Sequence, residues 1–171
     1  MTYPPTRHRR SIRLRGYNYT RAGAYFITIC SRDRVCIFAD IADGETQLTS
    51  VGEVVASCWE AIPEHFPTAD LDACVVTPNH LHGIVVLGTG GTANEGTACR
   101  ALVSDFLGPL PQGHIPSLWQ SNYHEHVIRD ERSLERLRAY IAANPARWTE
   151  DSLHPDHPDT ALPIQPRIRL S

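Results

Sequence analysis

Only two residues, Pro78 and Asn79, stand between the strand-like runs at 71–77 and 80–87. So short a connection joins antiparallel neighbours, because parallel strands need a crossover of a dozen or more residues. Upstream, residues 24–30 place Tyr25, Phe26, Ile27, Thr28 and Ile29 in succession, all β-branched or aromatic, which predicts a strand. Val35 to Phe38, after the turn Ser31-Arg32-Asp33-Arg34, is its predicted hairpin partner. From about Ser50, Val54, Val55, Cys58, Trp59 and Ile62 recur at helical spacing, with Pro63 and Pro67 marking the end. A last strand is expected within 118–128, and Asp130 can cap a helix running to Asn144, where Pro145 stops it. This order of elements predicts an α+β domain, a small antiparallel sheet with helices on one face. It excludes a parallel doubly wound sheet.

The 171 residues suit one domain. All 16 basic side chains are arginine, and eight fall within residues 1–34 against the single acid Asp33. Residues 35–128 carry 11 acids against Arg100 alone. The net charge of −3 therefore conceals a basic N-terminal arm able to meet phosphates, and it excludes a uniformly basic DNA-coating protein. No apolar run approaches the roughly 18 residues of a membrane span, and no signal-peptide pattern follows the arginines, so a soluble, intracellular chain is expected. Five cysteines without a C-x-x-C pair make a poor disulfide or zinc framework and are read as reduced, mostly buried thiols. Without G-x-x-x-x-G-K-[ST] or G-x-G-x-x-G, nucleotide hydrolysis and dinucleotide binding lose their main support.

Two spacings carry chemistry. In His80-Leu81-His82 the imidazoles lie two apart on a strand and so share a face, which suits a divalent ion with open coordination positions. The same pair also fits ordinary hydrogen-bonded strand histidines. Tyr140 and Asn144, four apart, share a helix face, so a phenol nucleophile and a carboxamide ligand can stand side by side. A tyrosine that packs with its hydroxyl exposed is the plainer alternative.

Pro78-Asn79-His80-Leu81-His82, then Trp119-Gln120, Tyr123, Ile128-Arg129-Asp130-Glu131, Tyr140-Ile141-Ala142-Ala143-Asn144-Pro145 and Trp148 follow one another in an order that resembles the single-tyrosine HUH transposases. Within them the order is most similar to the REP-associated tyrosine transposases, and the likeness runs from about Arg13 to Trp148. It implies a ferredoxin-like domain that cuts and rejoins single-stranded or hairpin DNA. By the same resemblance, His80, His82 and Asn144 would hold Mg²⁺ or Mn²⁺, and Tyr140 would form a 5′-phosphotyrosine. Arg7, Arg9, Arg10, Arg13 and Arg15 are the expected phosphate contacts, with Tyr17 or Tyr19 stacking on a base. A monomer or homodimer in the cytoplasm, with the nucleoid, is the corresponding setting.

The expected divisions are a basic arm at 1–23, the catalytic-type domain at 24–148 and a Pro-rich tail at 149–171 that shows no core-forming pattern. Relatives usually carry a second long helix between the histidine strand and the last strand, whereas here only Leu102 to Leu107 offers a short apolar cluster before Gly108-Pro109. A non-catalytic nucleic-acid-binding module on the same scaffold is therefore the alternative function. A small metallohydrolase using His80 and His82 is a third. Tyr123, and the pair His124 and His126 around Glu125, compete for the same roles. Tyr140 is preferred as nucleophile because it has a metal-capable partner one turn on, and the second histidine pair is expected on the exposed face of the last strand.

Overall fold

β1 (Gly23–Cys30) is buried over six consecutive residues, because both of its faces are covered. The computed structural model describes residues 23–88, 118–120 and 123–158. Arg7, Arg9, Arg10, Arg13, Arg15 and Tyr17, and the stretch 89–117 expected to hold only a shortened helix, lie outside those residues.

β1 is central in a four-stranded antiparallel sheet of order β4-β5-β1-β6, with β4 at Ala69–Val76, β5 at His80–Leu87 and β6 at His124–Ile128. A helix separates β1 from β4, and Pro78-Asn79 turns β4 into β5, so the order is that of a ferredoxin-like sheet. α1 (Ser50–Glu60) and the short α2 (Ile62–His65) cover one face. There Tyr25, Ile27, Ile29, Leu81, Val85 and Val127 meet Val55, Trp59 and Ile62. α3 (Glu131–Ala143) covers the other face, where Phe26, Ile84 and Ile128 meet Leu137 and Ile141. The one-sided packing expected from the sequence describes α1 and α2. α3 takes the second side, as the unbroken apolar run of β1 requires.

The partner expected for β1 at Val35 to Phe38 is not a strand. Asp33 and Arg34 adopt φ of 54° and 57° in a 3-10 turn (Arg32–Arg34), which redirects the chain. The Ile37 and Phe38 N–H groups then both donate to the Pro78 carbonyl, each at 2.9 Å. A separate hairpin follows, β2 (Ala39–Ala42) with β3 (Glu45–Leu48), and both turn residues, Asp43 and Gly44, have positive φ. Thr49 caps α1 by accepting the Gly52 N–H at 3.1 Å. α1 buries Gly52, Val55 and Trp59 while Val54 and Cys58 face solvent, so the helical period is as expected but its inner edge is rotated. Pro63 opens α2 rather than ending a helix. Of the four described cysteines only Cys30 is buried; Cys36, Cys58 and Cys74 are exposed, against the expectation of mostly buried thiols.

Two glycines are required by close approach. A Cβ on Gly83 would lie 2.3 Å from Cζ2 of Trp59, so the bare backbone of β5 is what lets that ring lie on the sheet. A Cβ on Gly52 would lie 1.9 Å from the Phe38 carbonyl oxygen.

Asp130 caps α3, accepting the Ser133 N–H at 2.7 Å, as its position before the helix implied. Arg138 fixes the helix against β4 through a fork on Asp72, with contacts of 2.6, 3.0 and 3.1 Å. The chain then forms a 3-10 segment (Pro145–Glu150) and returns over the end of the sheet, burying Trp148, Asp151 and Leu153. The tail beyond residue 149 was expected to contribute nothing to the core, yet two of its side chains are buried there. Among the described residues no helix is long and apolar enough to cross a membrane.

Candidate functional site

β-strand alternation sends His80 and His82 to the α3 face while Leu81 enters the opposite core. Both imidazoles are fully buried, with ring centroids 4.4 Å apart. Phe26 stacks on His82 at 5.1 Å, and Trp148 lies against His80 at 5.8 Å. On α3, Tyr140 and Asn144 share the sheet-facing side. The Tyr140 hydroxyl lies 3.2 Å from Nε2 of His82 and donates to Oδ2 of Asp151 at 3.4 Å. Asn144 Nδ2 donates to the same Oδ2 at 2.9 Å. The four residues singled out in the sequence, His80, His82, Tyr140 and Asn144, thus converge on one point.

Asp151 is the member that sequence reasoning missed. Its carboxylate completes a buried group with His80 and His82 whose ligand atoms all lie within 4.8 Å of one another. It follows the 3-10 segment in what looked like a featureless tail. Trp148 and Leu153 beside it are buried, but a carboxylate is rarely buried unless paired, so no local pattern in the sequence marked Asp151.

Charge and hydrogen bonding explain what this cluster wants. Asn79 Oδ1 can only accept, so at 2.8 Å it holds the proton of His80 on Nδ1 and leaves the Nε2 lone pair free. Thr28 Oγ1 sits 2.8 Å from Nδ1 of His82 in the same supporting position. Burial, with the Arg34 charge a smaller cause, pushes the His80 imidazole down to about 3. Burial and then neighbouring His80 hold His82 well below the usual histidine range, with Asp151 opposing. Both rings are therefore neutral. Burial, followed by the charge and hydrogen bond of Asp151, holds the Tyr140 phenol above the usual tyrosine range.

His80 Nε2 and Asn144 Oδ1 are buried without a hydrogen-bond partner, and His80 Nε2 stands 4.0 Å from Asp151 Oδ2. Leaving a buried polar group unpaired costs about 1–3 kcal/mol. Two unpaired acceptors beside a carboxylate are the arrangement that a divalent cation would satisfy, so the residues present fit such an ion.

The competing residues separate by strand face. Tyr123 packs with the α1-side core and donates to Glu125 at 3.3 Å, on the far side of the sheet from His80. His124 and His126 stand opposite Thr28 and Phe26, so they face the α3 side and are partly buried, rather than decorating an exposed surface.

No family model matches the chain. A Haemophilus influenzae protein of uncharacterized function is 39% identical over 170 residues, covering 87% of this chain and 94% of its own length. A second protein from that organism, named "Putative REP-associated tyrosine transposase", is 25% identical over 159 residues, covering 81% of this chain and 84% of its own. Among solved structures, a REP-associated tyrosine transposase bound to a REP hairpin superposes with a TM-score of 0.54 at 21% identity, covering 90% of this chain and 89% of that one. At that identity the superposition speaks for the fold alone. The chain is thus similar in sequence to a protein named as a putative REP-associated tyrosine transposase, and similar in fold to a solved REP-associated tyrosine transposase.

Proposed function

We propose that this protein cleaves and rejoins single-stranded or hairpin DNA through Tyr140, in the cytoplasm with the nucleoid, as a monomer or homodimer. The observation that carries the reading is the Tyr140 hydroxyl 3.2 Å from His82 Nε2 and 3.4 Å from Asp151 Oδ2, a phenol held against a buried cluster of acceptors. His80, His82 and Asp151 would hold Mg²⁺ or Mn²⁺, with Asn144 Oδ1 as the remaining donor. When bound, such an ion supplies positive charge that polarises a phosphodiester and offsets the Asp151 charge that keeps the phenol protonated.

The chain's own groups do the rest. Tyr140 Oη gives its proton to water and attacks phosphorus, and the P–O3′ bond breaks as the P–Oη bond forms. The departing O3′ takes up a proton and becomes a free 3′-hydroxyl, while the 5′-phosphate remains on tyrosine. Attack by a 3′-hydroxyl reverses each change, so a strand is resealed without ATP because the covalent link conserves the energy of the broken bond. Phe26, edge-on to Tyr140 at 6.1 Å, and His82 at 5.3 Å set the ring's direction. Arg7, Arg9, Arg10, Arg13, Arg15 and Tyr17 are proposed to hold the nucleic acid outside the site.

The test is a denaturing gel of labelled hairpin oligonucleotides incubated with Mn²⁺ and the wild type, Tyr140→Phe or His80→Ala. A denaturation-resistant protein–DNA adduct, absent in both variants, is expected. Binding without any adduct in the wild type would favour a non-catalytic binding module. Turnover that survives Tyr140→Phe would favour a metallohydrolase.

A further inference from the structure

Asn79 is fully buried and uses both ends of its side chain. Oδ1 receives the His80 Nδ1 proton at 2.8 Å, while Nδ2 donates to the carbonyl of Leu153 at 2.9 Å and to that of Arg34 at 3.2 Å. Two donations to carbonyls fix which end of the amide is oxygen. Leu153 in turn donates its N–H to Oδ1 of Asp151 at 2.7 Å. A continuous chain of hydrogen bonds therefore runs from His80 through Asn79 and Leu153 to Asp151.

We propose that Asn79 is the positioning residue of the site, joining the histidine strand to the returning segment so that His80 and Asp151 face each other across one ligand position. The inference rests on the reading of His80, His82 and Asp151 as an ion site, and it assigns to one side chain two separable tasks. The carbonyl end selects the His80 tautomer whose free Nε2 points into the site. The amide end holds the segment that carries Asp151, 72 positions further along the chain. The bonds that close the β4–β5 turn run between Thr77 and His80 and do not reach the returning segment.

Supporting groups of this kind are typically worth 10–100-fold in metal affinity when removed. The experiment uses the full chain, with ¹⁵N-histidine NMR to read the ring tautomer and Mn²⁺ titration by EPR to read affinity. In the wild type His80 is expected to be protonated on Nδ1; a wild-type His80 protonated on Nε2 would overturn the proposal before any variant is made. Asn79→Ala should scramble the tautomer and weaken Mn²⁺ about 10–100-fold. Asn79→Asp, of equal size, keeps an acceptor for His80 but sets an oxygen against the Leu153 carbonyl. It should hold the tautomer, weaken Mn²⁺ comparably, and carry the affinity test if the alanine variant does not fold. Affinity within twofold of wild type in the folded variants refutes the coupling. If the wild type binds no Mn²⁺, the ion reading falls on its own, and the tautomer in Asn79→Ala still decides the role of Asn79: a scrambled ring supports it and an unchanged one refutes it.

Discussion

Replacing Asp151 by Asn separates the two demands on that side chain. Oδ1 accepts the Leu153 N–H at 2.7 Å, and Oδ2 accepts Asn144 Nδ2 at 2.9 Å with the Tyr140 hydroxyl at 3.4 Å. An amide has one oxygen, so one buried donor must face an NH₂ group, at a cost of about 1–3 kcal/mol. For a chain of this length that lowers Tm by about 2–12 °C without ion. The lost charge acts separately. A unit charge pair at 4 Å in an effective dielectric of about 20 is worth about 4 kcal/mol. If solvation of the altered site restores half of that, ion binding still weakens about 30-fold. With Mn²⁺ at about 100 times the wild-type Kd, the wild type gains about 2.7 kcal/mol, a rise of about 5–11 °C. The same Mn²⁺ adds only about 0.9 kcal/mol, or 2–3 °C, to Asp151→Asn. Thermal melts with and without Mn²⁺ measure both terms, with exposed Asp156→Asn as a control that should match the wild type. An Asp151→Asn protein whose Mn²⁺-induced rise equals that of the wild type would sink the assignment of Asp151 to the ion site.

Gly83→Ala should cost about 1–3 kcal/mol, because its Cβ would fall 2.3 Å from the Trp59 ring. Urea unfolding would show this, and a Trp59→Leu background should remove most of the penalty; equal costs in both backgrounds would count against the contact. Leu137→Ala, at the centre of the α3 face, should cost about 2–5 kcal/mol, and a loss below about 1 kcal/mol would mean that α3 is not packed as described. His80 is neutral in the fold, with its pKa pushed from 6.5 to about 3 by burial, so below pH 6.5 the unfolded chain binds a proton that the folded chain refuses. Its contribution to stability is complete above pH 6.5 and is lost as pH falls toward about 3, with a limiting slope of about 1.4 kcal/mol per pH unit. A urea midpoint unchanged between pH 7 and pH 5 would contradict a buried neutral ring.

Much of the site was legible because strands and helices convert sequence spacing into direction. His80 and His82 share a face by the two-residue repeat of β5, and Tyr140 and Asn144 by the four-residue repeat of α3. The Asp130 cap and the Pro145 stop bounded that helix correctly for the same local reason. Errors arose where local pattern admits more than one outcome. Val35 to Phe38 has strand-forming residues, but the positive φ values at Asp33 and Arg34 turn the chain away, and β1 pairs with β5 and β6 instead. Val54 and Cys58 fit the helical period of α1 as well as Val55 and Trp59 do, and only the sheet beneath determines which side turns inward.

The sequence by itself determined an antiparallel α+β domain, a histidine pair on one strand face and a tyrosine with its asparagine on one helix face, since each depends on contacts within a few residues. Only the tertiary structure decided that these two faces meet, that α3 lies opposite α1, and that Asp151 joins them. Those outcomes depend on residues far apart in the chain, such as Asn79 holding Leu153 and Arg138 holding Asp72. A spacing rule reaches about one helical turn, whereas a carboxylate is held beside two histidines some 70 residues earlier only because sheet, helix and returning segment bring hydrogen-bond donors to it.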